Sequence, residues 1–394
     1  MRIPLLAPLL LLVAPLGAAE IDHAIEQVES IRGLEFRAPV EVAVVPRADL
    51  RAILEEQIAK DSPLPLGDYM RLLEQLLLIE RSEGAIDDLM EVYEAQVLAF
   101  YDPSSRKYYT FDRAPGGSEM GGMMEDAVAI HELTHALQDQ RFGAGDRIRS
   151  LRSDWDAQLA YHSVLEGEAT LVMLASMLSR LGISIDDLAA SAELVEGMGA
   201  LASLDPGFPG GAPPYFVESL KFPYLSGLAF VLEAFRRGGW EGVDRLHREP
   251  PATTLEVLDP EIYYARTSPP APRRCEGPES LIATPLGAFH WAFLLGEAEA
   301  AGWSSDCVRV FSDQGALRVE GTSRWADPSE AREFAAALSD LLEARGRVGA
   351  VEIDGLEVRF SWSADVPARP DAQPAVSSPR TSSRACSQAS RISW

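Results

Sequence analysis

The stretch Val128-Ala-Ile-His-Glu-Leu-Thr-His-Ala-Leu-Gln138 decides how this chain is read, because it sets His131, Glu132 and His135 at helical spacing. Residues from Met123 to Phe142 predict a helix: Val128, Leu133, Ala136 and Leu137 supply apolar positions, no proline interrupts, and Gly143 follows as a stop. Histidines four residues apart lie one turn apart on the same helix face, so both imidazoles can point at one metal ion. Glu132, beside the first of them, can reach water held at that ion's open position. The chain has only six histidines, so a pair in register next to a glutamate is a selective feature.

A catalytic zinc needs a third protein ligand besides one open position. The next acidic cluster is Leu165-Glu-Gly-Glu-Ala-Thr170, with thirty residues between His135 and Glu166. It falls inside a second predicted helix, from about Asp154 to Leu181, whose apolar positions include Leu159, Leu165, Leu171, Val172, Leu174, Ala175 and Leu178. A glutamate embedded among such residues is costly to bury unless it meets a cation. The short connection from Gly143 to Ser153 lets the two helices pack together, which brings Glu166 towards the histidines. Glu166 is the preferred third ligand and Glu168 the alternative.

His131-Glu-Leu-Thr-His135, followed by Glu166-Gly-x-Ala169, resembles the gluzincin branch of zinc metallopeptidases. In gluzincin aminopeptidases the third zinc ligand is a glutamate followed by glycine, one residue and alanine, so the resemblance assigns that role to Glu166. Phe222-Pro-Tyr-Leu-Ser-Gly227 is similar to the Pro-Tyr-x-x-Gly element that opens a helix in those enzymes. Its tyrosine binds the oxyanion, a role the resemblance gives to Tyr224; packing as an aromatic at the edge of the core is the other reading of that residue. The chain is closer still to poorly characterised secreted bacterial proteins with a gluzincin-like core. That likeness runs over Ala99-Phe-Tyr-Asp-Pro103, residues 131–140 and 166–170, and Pro250 to Tyr263. The resemblance covers roughly residues 95 to 265 and implies a zincin-like core, one zinc per chain and a peptide or protein substrate. Gly122-Met-Met-Glu-Asp126 looks like the amine-gripping element of aminopeptidases, but it stands only four residues before His131. It belongs to the start of the zinc helix, and an endopeptidase is as compatible with the chain as an aminopeptidase.

On this reading Glu132 is the general base, with Asp139, Glu168 and Asp126 as carboxylates available to orient the imidazoles. Upstream, Val97 to Tyr101 and Lys107 to Phe111 flank Asp102-Pro-Ser-Ser105 and predict a hairpin. Its edge is a candidate for pairing with an extended substrate, and sheet core is the alternative. Further elements are expected as a strand at Pro39–Val45, a helix at Asp49–Ala59 and two helices within Gly67–Gln96. A third long helix is expected at Ile185–Met198, before a Gly/Pro-rich loop at Asp205–Pro214 placed to border the cleft.

The first nineteen residues combine an early Arg2, a Leu-rich run and a small-residue end. They read as a secretory signal cleaved after Ala19, so the protein is expected to be secreted or periplasmic. Residues 20–267 are expected to form the metallopeptidase domain, 275–362 a small α+β unit, and 363–394 a disordered tail. The fold class is α+β, predominantly helical. The 35 basic and 60 acidic residues give a net charge of −25, which argues against nucleic-acid binding and against adhesion to anionic membranes. No run in the mature chain is long enough to span a membrane. Cys275 and Cys307 could pair in an oxidising compartment or stay free, with Cys386 left over. Two rivals keep the same motif: a catalytically silent exported binding or assembly protein on a zincin scaffold, and a cell-wall amidase.

Overall fold

The computed structural model describes residues 18–62, 64–111, 119–191, 212–268, 275, 279–313 and 316–364. The expected signal segment up to residue 17, the loop at 205–211 and the tail beyond 364 lie outside these residues.

Helix α1 (Ala18–Arg32) leads through strand β1 (Glu41–Val45) to helices α2 (Leu50–Asp61), α3 (Leu66–Gln75) and α4 (Ala85–Gln96). Strands β2 (Ala99–Asp102) and β3 (Lys107–Phe111) follow and pair antiparallel, while β1 joins the far side of β3 in parallel. The hairpin turns where the sequence says it should. The Asp102 carboxylate accepts from the Ser104 backbone N–H at 2.8 Å and its hydroxyl at 2.6 Å, the local bonding that makes Asp a turn former.

The decisive stretch lies in α5 (Glu119–Phe142). Gly143 ends it in the left-handed region at φ 68°, which glycine adopts without Cβ strain. The expected polar connection contains a short helix, α6 (Ala144–Ser150), and then α7 (Trp155–Ser179) begins, with Asp154 accepting from the Ala157 N–H at 2.9 Å. Every residue from Asp154 to Ala169 is buried, so α7 is the central helix and has no polar outer face over that span. Helix α8 (Ile185–Ala190) is shorter than the expected third long helix, whose remainder falls in residues 192–211, outside the described set.

Helix α9 (Pro214–Arg248) lies across α7 and contains Pro223 in its interior, with non-helical backbone at Gly238 and Gly239. The Pro-Tyr-x-x-Gly element therefore sits within a helix that started nine residues earlier, a correction to the expectation that it opens one. Two short helices, α10 (Thr254–Leu258) and α11 (Pro260–Ala265), complete this part.

The C-terminal part is a five-stranded antiparallel sheet in the order β4-β5-β6-β8-β7 with two helices. Its elements are β4 (Ile282–Thr284), α12 (Gly287–Leu295), β5 (Trp303–Asp313), β6 (Ala316–Trp325), α13 (Pro328–Ala344), β7 (Arg347–Asp354) and β8 (Glu357–Ala364). Cys275 and Cys307 form a disulfide that ties the preceding segment to β5. One hydrophobic cluster runs from Leu54 and Leu73 through Leu159 and Phe230 to Trp291, Phe334 and Trp362, so this sheet packs against the helices of the first part. Polar contacts cross the same boundary. The Trp155 N–H of α7 donates to the Thr284 hydroxyl at 2.9 Å, the Phe289 N–H of α12 donates to the Thr254 hydroxyl at 3.0 Å, and the Trp362 indole donates to the Gln75 carbonyl at 2.8 Å. The architecture is mixed α+β, mostly helical, with two sheets. Among the described residues no helix is long and apolar enough to cross a membrane.

Candidate metal centre

Helices α5 and α7 meet where the two quoted motifs lie. His131 Nε2 stands 3.1 Å from Glu166 Oε2, His135 Nε2 stands 3.5 Å from the same oxygen, and the two imidazole nitrogens are 3.1 Å apart. All three residues are buried. Zinc bound tetrahedrally with bonds of about 2.0–2.1 Å separates neighbouring donor atoms by about 3.3 Å. The three observed edges bracket that value, so the donor set fits the ion in type and in spacing. A carboxylate oxygen of Glu132 also lies within 4.8 Å of both imidazoles. Glu166 Oε2 contacts both imidazoles directly, whereas Glu132 is held by the Tyr101 N–H, so Glu166 is the better third donor.

Glu132 has a separate geometry. Its Oε2 accepts from the Tyr101 backbone N–H at 2.9 Å, which fixes the carboxylate against the β2 strand. Its Oε1 is fully buried and has no hydrogen-bond partner among the described residues. An orphaned carboxylate oxygen in the interior is expensive, and it marks a position where a polar group from outside the chain belongs.

The close approach of α7 and α9 explains two glycines. A Cβ on Gly167 would lie 2.3 Å from the Gly227 carbonyl oxygen, and one on Gly227 would lie 2.2 Å from the Ser163 carbonyl oxygen. The helices touch backbone to backbone there. The glycines of Glu166-Gly167 and of Pro223-Tyr-x-x-Gly227 are thus two halves of one crossing. That crossing puts the Tyr224 ring in a stack over His131, with centroids 5.8 Å apart, and gives its hydroxyl a hydrogen bond to Glu166.

The charges in the centre are strongly biased. Burial raises the Glu132 carboxyl to about 8, against the opposing pull of His135. Burial acts to lower His135, but the Glu166 carboxylate outweighs it and raises the imidazole to about 9. Burial dominates at His131 and lowers it. Glu166 is pushed up by burial, yet His135, His131 and His162 hold it well below the usual carboxylate range. Tyr224 is raised well above its ordinary value, first by burial and then by Glu166. The triangle of donors therefore calls for positive charge at its centre, which a proton or a divalent cation supplies.

Two orienting residues were not singled out from the sequence. Gln138 donates to the Leu165 carbonyl at 2.9 Å and to Glu168 Oε2 at 2.7 Å, and its Oε1 lies 2.9 Å from His135 Nδ1. Both amide hydrogens are taken by acceptor-only oxygens, so His135 Nδ1 must carry a hydrogen and its Nε2 is left as a lone-pair donor. His162 Nε2 lies 3.0 Å from Glu166 Oε1, on the side away from the triangle. Gln138 is three residues after His135 and His162 four before Glu166, so helical spacing was the available signal. The carboxylates expected to orient imidazoles lie elsewhere. Asp139 accepts from the Tyr101 hydroxyl at 3.1 Å and the Gly145 N–H at 2.9 Å, and Asp126 pairs with Arg180. Glu168 reaches His135 only through Gln138.

Residues 284–370 match a family model described as "Domain of unknown function (DUF8575)", a span that includes none of the site residues. No curated protein matches the chain.

Proposed function

We propose that this protein is a zinc-dependent metallopeptidase with a zincin-like core, one zinc held by His131, His135 and Glu166. The observation that carries the reading is the triangle of two Nε2 atoms and one carboxylate oxygen beside the orphaned Oε1 of Glu132. Zinc bound there would supply Lewis acidity, polarising a scissile carbonyl and acidifying water.

The chain's own groups do the rest. Glu132 accepts the proton of the attacking water at its free Oε1 while the Tyr101 N–H keeps the other oxygen in place. Once protonated, the same carboxyl can give that proton to the leaving amine. Tyr224, kept protonated by burial, donates its hydroxyl hydrogen to the oxyanion as charge develops there. Gln138 keeps the His135 lone pair aimed inward. The substrate is a peptide or protein, and the site of action is outside the cytoplasm. The signal-like first nineteen residues and the Cys275–Cys307 disulfide both support that location.

The test is zinc content and peptide turnover of wild type beside Glu166→Ala and Glu132→Gln. About one zinc per chain is expected in wild type and Glu132→Gln, and none in Glu166→Ala. Turnover in Glu132→Gln should fall by roughly 10²–10⁴-fold. A wild type that stays metal-free when refolded with zinc would sink the proposal, as would undiminished turnover in Glu132→Gln.

A further inference from the structure

We propose that Arg32, at the end of α1, is a positioning residue for the metal centre, acting on His135 through Glu168 and Gln138. The inference rests on the zinc-site reading above and extends it to a residue 136 positions from its first contact.

Arg32 is buried, with its Nε donating to Glu168 and its Nη2 donating to Asp244 at 2.6 Å. Its guanidinium carbon lies 4.3 Å from the centre of the Trp240 ring. A planar cation clamped between two carboxylates and an indole face has one orientation, which a flexible ammonium would not reproduce. Glu168 is held from the other side by His247 Nε2 at 2.6 Å, and that imidazole in turn stacks on Phe142 and meets the Tyr161 hydroxyl at 3.2 Å. The carboxylate has no freedom left, and its Oε2 receives the amide hydrogen of Gln138 at 2.7 Å.

The direction of Gln138 follows from that bond. With its amide nitrogen committed to Glu168 and the Leu165 carbonyl, its oxygen must face His135 Nδ1. Rotating the amide would place its NH₂ against the Nδ1–H and its oxygen against a carboxylate, two repulsive contacts in the interior. Arg32 therefore fixes Glu168, Glu168 fixes the amide, and the amide fixes which nitrogen of His135 carries hydrogen. A buried ion pair contributes little net stability over apolar packing of the same volume, so stability alone does not account for one placed at this point.

The experiment measures zinc dissociation constants by chelator competition on the full chain, with melting temperatures taken alongside in excess chelator. The proteins are wild type, Arg32→Met, Arg32→Lys, Gln138→Met and the Arg32→Met/Gln138→Met double variant. Each Met variant should weaken zinc by about 10–100-fold, the range for lost orienting partners. Arg32→Lys should recover part of the loss. In the double variant the losses should not multiply, because a relay already cut at Gln138 cannot be cut again. Glu168→Gln carries the same test in both backgrounds if Arg32→Met does not fold. Multiplying losses overturn the relay, and so does wild-type affinity in Arg32→Met. A wild type that binds no zinc removes the metal reading and the relay with it, whereas zinc binding in wild type with unchanged affinity in the variants removes the relay alone.

Discussion

Glu166 and Glu168 are two residues apart on one helix, both essentially without solvent exposure (0% and 1%), yet they are compensated in opposite ways. Positions i and i+2 of a helix face away from each other. Glu168 turns towards Arg32, a cation that stays charged at any accessible pH, and burial is outweighed there by Arg32 and then His247. Glu166 turns towards His131, His135 and His162, and the carboxylate itself raises the imidazole of His135 to about 9. One carboxylate has a permanent cation built into the chain, and the other sits among imidazoles, where a bound proton or a metal ion must supply the positive charge. Burial therefore does not distinguish a metal ligand from a structural acid; the nature of the neighbours does.

The largest effect that would test this contrast is on stability without metal. In excess chelator, Glu168→Ala should cost about 3 kcal/mol, because it leaves the Arg32 guanidinium buried with half of its compensation. Glu166→Ala should cost less under the same conditions, about 1 kcal/mol, since His135, without the carboxylate that holds it protonated, can shed its proton and be buried neutral. Equal losses in urea unfolding would erase the distinction. Next in size is the response to zinc. At a hundredfold excess over its dissociation constant, zinc should stabilise wild type by about 2.7 kcal/mol and leave Glu166→Ala unmoved. A smaller cost, about 1–3 kcal/mol, is expected for Gly227→Ala, whose Cβ must push α9 away from the Ser163 carbonyl. That shift should also lower turnover more than it lowers zinc content, because Tyr224 moves while the three ligands stay. Loss of zinc in step with activity would show that the crossing shapes the ligand triangle itself.

What could be read in the sequence follows the range of each interaction. The helices around Val128–Gln138 and Leu165–Thr170 and the Asp102 hairpin were legible, because periodicity and turn chemistry act within a few residues. His131, Glu132, His135, Glu166 and Tyr224 were singled out and come together in the structure, the last through a glycine crossing no local pattern announces. Gln138 and His162 lay in plain helical register and were passed over because attention went to carboxylates as orienting groups. Helix α1, which runs on from the expected cleavage point to Arg32, was not anticipated. Arg32 and His247 had no signal at all: they lie 136 and 79 positions from Glu168, and only the packing of four helices makes them its neighbours.

The finest probe of the contrast is His162, the one imidazole that touches Glu166 from outside the donor triangle. It bonds Oε1 at 3.0 Å, while Oε2 faces the other two histidines. If its role is to hold the carboxylate so that one oxygen points inward, a neutral donor should serve as well as an imidazole. His162→Gln should then keep zinc affinity within about threefold, roughly 0.6 kcal/mol. His162→Phe removes the donor while filling the space, and should weaken zinc by about tenfold, the worth of one hydrogen bond to a charged group. The order of the two variants carries the argument. Were Gln as damaging as Phe, the imidazole itself would be needed, either as a positive charge or as a further ligand. Glu166 would then resemble Glu168 more than the neutral-donor picture allows.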